Sequence, residues 1–334
     1  GVKFEHVFAS EKDCAARSVL YGNHDVTKVY KDCSSMFRVA SRTPKCNVYV
    51  AGPPCQPWSR AGKNQGYGDD ANRGCVLLDV IAYIGSRTPT VFILEEVPNL
   101  AYQHKEHFEE ILATLNGFMR YGKPIYKVEW AILNTLEHGG LPQNRKRLYM
   151  VGIRADLLTS EFKWPDAIPP VSIHDVLDPP HKNDEWDPTS MTNLSNLDRM
   201  LTKIMNDNGD PNKDTYLIDI NQSEKMGDNI MKERSPTLTR SRAMQGGYYV
   251  TTHKRMLNTA EMFRLQGFDA SRFKYESLTK RSATGKKLKV TEREVRGMIG
   301  NAMTVSVVGR VLRAACTACG LMPTSVKDPW EQKQ

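Results

Sequence analysis

Gly52-Pro53-Pro54-Cys55-Gln56-Pro57-Trp58-Ser59 sets a thiol in a loop stiffened by proline on both sides, directly after the apolar run Asn47–Ala51. In open α/β sheets ligands bind just beyond the carboxyl ends of strands. A cysteine placed there is a nucleophile if neighbouring positive charge lowers its pKa, and a small core hydrophobe if nothing does. Val91-Phe92-Ile93-Leu94-Glu95-Glu96-Val97-Pro98-Asn99 is a second such place, four apolar residues running into two carboxylates. A carboxyl at a strand end is partly desolvated and titrates upward, which suits a proton donor near neutral pH; two solvated loop acids are the plainer alternative. The third is Gln143-Asn144-Arg145-Lys146-Arg147, leading into Leu148–Ile153. Alternation along a strand places Gln143, Arg145 and Arg147 on one side, an amide and two guanidinium groups converging on a phosphate or carbonyl oxygen, or else an exposed basic edge.

The elements that must hold these groups alternate along residues 1–153. Strands are expected at Phe4–Ala9, Lys28–Tyr30, Asn47–Ala51, Val91–Leu94, Lys127–Leu133 and Arg147–Ile153, several rich in Val, Ile and Tyr. Helices are expected at 75–85, apolar nearly all round, and at 106–119, where Phe108, Ile111, Leu112, Leu115, Phe118 and Met119 share one face. Such alternation predicts a doubly wound, largely parallel sheet. Six of the 18 prolines then crowd into 164–190, an irregular connector, and the chain stays polar and weakly periodic to about residue 230. Regularity returns with a short helix opened by Thr259 and closed by Gly267. A second helix follows the Thr291/Glu294 capping box and ends at Gly300, and a third runs over 302–315.

With 334 residues, 40% hydrophobic and 25% charged, the chain can build a sizeable core. It has no run near the roughly 18 apolar residues that span a bilayer and no basic-then-apolar leader, so no membrane partner is expected. The formal charge is +8, and 231–296 holds 16 basic against 6 acidic residues, so the remaining chain sums to −2. A basic lobe on a near-neutral body points to a polyanion. Seven scattered cysteines suit a reducing compartment, and the lone Cys316-x-x-Cys319 reads as two helix-packing thiols, so no metal is expected.

Taken in order, these motifs resemble the C5-cytosine-specific DNA methyltransferases. The resemblance rests on Pro54-Cys55-Gln56, Glu95-Glu96-Val97, Gln143-x-Arg145-x-Arg147, Arg73–Asp79, Arg234–Thr239, Arg255–Phe268 and Gly300-Asn301-Ala302-Met303-Thr304-Val305, nearly the whole chain. It implies an α/β fold, the Rossmann-like doubly wound sheet of S-adenosylmethionine-dependent methyltransferases, with a smaller irregular target-recognition domain. The implied catalytic domain is 1–153 and the recognition region 154–232. Residues 233–320 complete the recognition lobe and return as C-terminal helices, and 321–334 form a tail. The implied reaction is methyl transfer from S-adenosyl-L-methionine to cytosine C5 in double-stranded DNA, with the base flipped out of the stack. Cys55 adds to C6, Glu95 serves N3, and Arg147, with Arg145, holds the O2 side. Cofactor contacts fall to Glu11, Asp32, Pro54, Val76, Asn301 and Val305. Gln56, Ser59, Gln143, Arg240, Arg242 and Lys254 fall to the nucleic acid. A monomer is expected, intracellular, in the nucleus of a eukaryote or otherwise in the cytoplasm. A tRNA substrate and a catalytically degenerate DNA-binding module are the alternatives.

Two departures shape the expectation. The family's Glu-Asn-Val reads Glu95-Glu96-Val97, an acid in place of the amide. The opening strand and Phe-x-Gly-x-Gly turn that cradle the methionine part of the cofactor have no match, and Glu11 followed by Ala15-Ala16 fits the family's second motif. The sheet is therefore expected to lack its first, central strand, the chain to be a fragment of a longer protein, and its cofactor binding to be weak.

Overall fold

A computed structural model describes residues 3–33, 43–54, 75–180, 190–282 and 284–331. The chain divides into two compact units, one made of 1–133, 146–166 and 307–334, the other of 134–145 and 167–306. The proline-rich connector is thus shared between them, and the final helix belongs with the first unit.

The first unit opens with β1 (His6–Ser10), α1 (Cys14–Asn23) and β2 (Val26–Tyr30), the two strands parallel and in register from His6↔Val26 to Ser10↔Tyr30. Asp13 starts α1, its carboxylate accepting the Ala15 and Ala16 amides at 2.8 and 3.2 Å, which satisfies two donors that the first turn leaves free. There follow β3 (Val48–Ala51), α2 (Cys75–Arg87), β4 (Val91–Glu96), α3 (Lys105–Asn116), β5 (Tyr126–Asn134) and β6 (Lys146–Arg154). The strands lie in the order β3-β4-β6-β5, with β3 parallel and β6 antiparallel to β4, so the sheet is mixed.

β4 is buried along its whole length, as its uninterrupted apolar run requires of a strand covered on both faces. Its alternate residues feed two cores. Phe92 and Leu94, with Leu148 and Met150 of β6, pack on Leu77 and Ile84 of α2 and Phe108, Ile111 and Leu115 of α3. Val91 and Ile93, with Tyr149, Val151 and Ile153, pack on Val307, Val311 and Ala315 of the last helix, Val305–Ala318. Gly152 is obligatory here, since a Cβ would stand 2.1 Å from the Phe92 ring.

Between β1 and β3 the sheet is interrupted. Consecutive residues, His6–Ser10 on one side and Val48–Ala51 on the other, line an open cleft of about 1230 Å³. Successive side chains of a strand point to opposite faces, so lining by residues in unbroken sequence means that backbone edges border the cleft. Among the described residues no strand pairs with either edge. The rings of Phe8, Tyr49 and Tyr83 pack across one side, with centroids 6.2 Å (Phe8–Tyr49), 5.4 Å (Phe8–Tyr83) and 4.5 Å (Tyr49–Tyr83) apart, while Val50 stays 40% exposed. Among the described residues, this gap falls where the sequence implies the central strand.

The second unit holds α4 (Met191–Asn206) and a four-stranded sheet. Its strands β7 (Tyr216–Ile218), β8 (Ile230–Lys232), β9 (Tyr249–Val250) and β10 (Arg255–Met256) are arranged β8-β7-β9-β10. No helix is expected at α4 from the sequence, which reads as polar and weakly periodic to about residue 230, yet Leu197, Met200 and Ile204 form a buried stripe that begins with a polar residue. That residue, Asn196, donates to Ile220 O and Gln222 O, so it is buried at little cost. The unit continues through α5 (Arg240–Met244), α6 (Thr259–Leu265), the hairpin β11 (Thr279–Arg281) and β12 (Lys287–Lys289), and α7 (Glu292–Asn301), leading to α8 (Val305–Ala318) in the first unit. The capping box of α6 is Asn258/Glu261, one residue before the expected Thr259, and that of α7 is Thr291/Glu294. Gly300 lets α7 cross α5, for a Cβ would meet the Thr239 carbonyl at 2.5 Å. Part of the terminal Gly-Asn motif is therefore a packing requirement.

The last helix of the first unit is clasped from behind. Arg310, fully buried on α8, donates from Nε to Asp328 at 2.6 Å and from Nη1 to the Asp166 carbonyl at 2.8 Å. Removing Asp328 takes away the buried partner of Arg310 and leaves it the half-exposed Glu331, 3.2 Å from Nη2. Asp328→Ala is therefore expected to lower stability by about 3–5 kcal/mol in urea denaturation. Stability within about 0.5 kcal/mol of the parent's would show that the pair adds nothing to the fold.

Candidate active site

The antiparallel register of β4 and β6 pairs Glu95 with Tyr149 and Glu96 with Leu148. Residues 95, 147 and 149 consequently share the face that packs on α8, and Glu96 points to the opposite one. Arg147 Nε lies 3.0 Å from Glu95 Oε1, with both side chains largely buried. The interaction is ionic rather than an aligned hydrogen bond, since among the described residues no donor points in line at Oε1. The arrangement presents one fixed cation and one fixed carboxylate at the carboxyl end of β4, where an open sheet binds its ligands.

Glu96 is 1% exposed. Its Oε2 accepts the Val97 amide at 3.0 Å, and its Oε1 has no hydrogen-bond partner among the described residues. Burial, reinforced by the negative charge of Glu95, pushes its pKa up to about 8 against the opposing pull of the Val97 amide. At neutral pH the residue that replaces the family's asparagine is thus a neutral carboxyl, able like an amide both to donate and to accept, and adds no second charge beside Glu95.

The cleft collects four of the residues expected at a cofactor site: Glu11 after β1, Asp32 after β2, Pro54 after β3, and Val76 on α2. Glu11 is held by the Asp13 amide on Oε1 at 2.8 Å. Asp79, not among the expected site residues, joins them. It accepts from Cys33 Sγ at 3.8 Å, and burial raises its pKa with a further push from Asp32. Its signal was a lone acid on a helix otherwise apolar nearly all round. Asn301 and Val305 belong to the second unit, Asn301 exposed at the end of α7 and Val305 at the start of α8 with its amide on Gln266 O at 3.0 Å. Cys55, Gln56 and Ser59 lie outside the described residues.

Two members of the arginine motif are reassigned. Gln143, 0% exposed, donates from Nε2 to Leu265 O at 2.8 Å and accepts the Leu238 amide at 3.0 Å, so its amide faces backbone and not a nucleic acid. Arg145 donates to Leu238 O and to Ala302 O, both at 2.8 Å, and therefore ties together the Arg234–Thr239 and Gly300–Val305 segments. The convergence of Gln143, Arg145 and Arg147 on one site is corrected accordingly. Gln266 and Thr304, each within a segment that carries the resemblance, complete this buried network through Thr304 Oγ1 to Gln266 Oε1 at 3.0 Å. Arg242 is held within the fold, Nε donating to the buried Asp219 at 2.6 Å and Nη1 to Gln245 at 3.1 Å. Arg240 is exposed at the start of α5, and Lys254 is exposed in the turn between β9 and β10.

A family model described as C-5 cytosine-specific DNA methylase matches residues 1–316. The Type II methyltransferase M.NgoBV of Neisseria gonorrhoeae is 36% identical over 153 residues, 45% of this chain and 35% of that protein. M.NgoBI, from the same organism, is 27% identical over 344 residues, 97% of this chain and 90% of its own length. The solved structure of the Entamoeba histolytica methyltransferase EhMeth matches in fold with a TM-score of 0.60 at 16% identity, covering 92% of this chain and 89% of that one. The chain belongs to the C-5 cytosine-specific DNA methylase family. It spans about a third of M.NgoBV, the first of these relatives.

The raised Glu96 carboxyl ties stability to pH. Its proton is held in the folded state up to about pH 8 and released in the unfolded chain near 4.5. The folded form therefore binds the extra proton between these values, so stability is greatest below 4.5 and is lost as pH rises to about 8. Glu96→Gln should flatten the decline in urea-denaturation stability between pH 5 and 8 that the parent shows. Equal slopes for parent and variant would place the titration elsewhere.

Proposed function

We propose that this chain transfers a methyl group from S-adenosylmethionine to C5 of cytosine in DNA, through a covalent bond from Cys55 to C6 and with the base flipped out of the duplex. The observation that carries the reading is the Glu95–Arg147 pair, a fixed carboxylate and a fixed cation at one strand end. A cytosine ring offers N3 to an acid and O2 to a cation on one edge, and the pair supplies both. Glu95, entering the step with its proton on, donates it or a hydrogen bond to N3, and Arg147 neutralises charge at O2, so electron density withdrawn through the ring opens C6 to the thiolate. None of this reaches a base inside the stack, so the base must leave it.

The cleft residues fit the nucleoside part of the cofactor. Glu11 and Asp32 are acceptors for ribose hydroxyls and an adenine amino group, and Pro54, Val76 and Val80 form an apolar wall for a flat ring. Bound there, S-adenosylmethionine supplies the electrophilic methyl group that cytosine C5 takes once C6 is bonded to Cys55. Loss of the C5 proton then expels the thiolate and restores the ring. Residues 167–306, with most of the basic residues of 231–296, serve as the DNA-recognition part.

Incorporation of labelled methyl into duplex DNA tests the reading with full-length protein. The parent is expected to label cytosine, and Cys55→Ser to lose transfer while keeping DNA binding, since a hydroxyl does not ionise enough to replace a thiolate. Transfer by Cys55→Ser at the parent's rate would remove Cys55 from the reaction. Label in RNA but not in DNA would reassign the substrate.

A further inference from the structure

The β11–β12 hairpin concentrates charge on one side. Residues 277–291 contain Lys280, Arg281, Lys286, Lys287 and Lys289 and no acid. The register pairs Thr279 with Lys289, Lys280 with Leu288 and Arg281 with Lys287. Alternation therefore puts Arg281, Lys287 and Lys289 on one exposed face, with Thr279 the fourth position of that face. Lys280 points the other way and is bonded to Glu294 of α7. The turn is well made, Ser282 N donating to Lys286 O at 2.9 Å and Gly285 N to Ser282 O at 2.9 Å. At the base Val290 N donates to Leu278 O at 3.0 Å.

Two features make this more than a solvated charge run. Arg281 and Lys287 stand directly opposite each other, a cross-strand like-charge pair that opposes the pairing holding the hairpin together. The acid of α7 that faces the hairpin, Glu294, is taken by Lys280 and by its own capping box at Thr291. The fold thus holds three cations together against their repulsion on a ribbon anchored at its base. Cations two residues apart on one strand lie about 6.6–6.8 Å from each other. A two-stranded ribbon is also narrow enough to enter the major groove.

We propose that the β11–β12 hairpin is a phosphate grip for duplex DNA, with Arg281, Lys287 and Lys289 as the side chains that meet the backbone. The proposal rests on the reading of this chain as a DNA-acting protein. Where Arg242 is held by Asp219, the hairpin offers exposed cations, Arg281 steadied by Nη1 donating to Gly285 O at 3.3 Å. Such interactions position the protein and read no sequence.

The test is the salt dependence of binding to a short duplex of arbitrary sequence, for the parent and for full-length protein carrying Arg281→Gln, Lys287→Gln and Lys289→Gln together. For every phosphate that is no longer neutralised, the slope of log K against log salt should flatten by about 0.9, so a fall of about 2–3 units is expected. Thermal melts of the free proteins run alongside, and removing the like-charge pair should leave the variant at least as stable as the parent. A parent that binds with an unchanged slope in the variant overturns the grip alone. A parent that binds no duplex at any salt overturns the DNA reading beneath it. A variant that melts well below the parent would show that these cations serve the fold's own ion pairs, and would also overturn the proposal.

Discussion

The antiparallel register of β4 against β6 is the constraint on which the first unit depends. Six consecutive residue pairs, from Val91↔Ile153 to Glu96↔Leu148, assign every side chain of the two strands to one core or the other. A slip by one residue would turn the hydrophobic set inside out. The same register sends Glu95 and Arg147 to one face and Glu96 to the other. The ionic pair and the neutral carboxyl are therefore set by the packing of Phe92, Leu94, Ile93 and Val151 as much as by their own chemistry. A site built on a central ladder is held more tightly than one built on loops.

The motif Gln143-x-Arg145-x-Arg147 illustrates how similar residues two positions apart take different work. Arg147 belongs to the strand and to Glu95. Gln143 and Arg145 belong to a buried network in which an amide and a guanidinium satisfy the backbone at Leu238, Leu265 and Ala302. Buried polar groups of this kind specify a single arrangement because every partner must be present at once. The segments Arg234–Thr239 and Gly300–Val305, read from the sequence as motifs, meet at Arg145, and Gly300 allows the close backbone approach.

Much of this was legible beforehand. The six strands around the site follow from apolar, β-branched runs ending at Gly, Pro or charge, and they fall within a few residues of the observed spans. The carboxylates after Leu94 mark the end of the apolar run, and the strand itself continues through both of them to Glu96. The gap between β1 and β3, edges without a paired strand among the described residues, falls beside the stretch in which the sequence shows no match to the family's opening motif. Three features were not legible. α4 is hidden by the polar residues along it, among them Asn196, whose side-chain NH2 donates to carbonyls more than 20 positions away. The fate of Arg145 and Arg242 depends on distant carbonyls and on Asp219, which spacing along the chain cannot reveal. The neutrality of Glu96 arises from complete burial, whereas the sequence shows only two adjacent acids.

The central claim is that Glu95 and Arg147 act on the substrate as one unit, and a double-mutant cycle on single-turnover methyl transfer tests it most directly. Glu95→Gln and Arg147→Gln are made singly and together in full-length protein, with DNA saturating. If the pair is a unit, each single change removes most of what the pair contributes, on the order of 10²-fold or more. The double variant should then be little slower than the slower single one, a coupling well above the few tenths of a kcal/mol expected of independent residues. Multiplicative losses would contradict the account, as would a single variant that keeps the parent's rate.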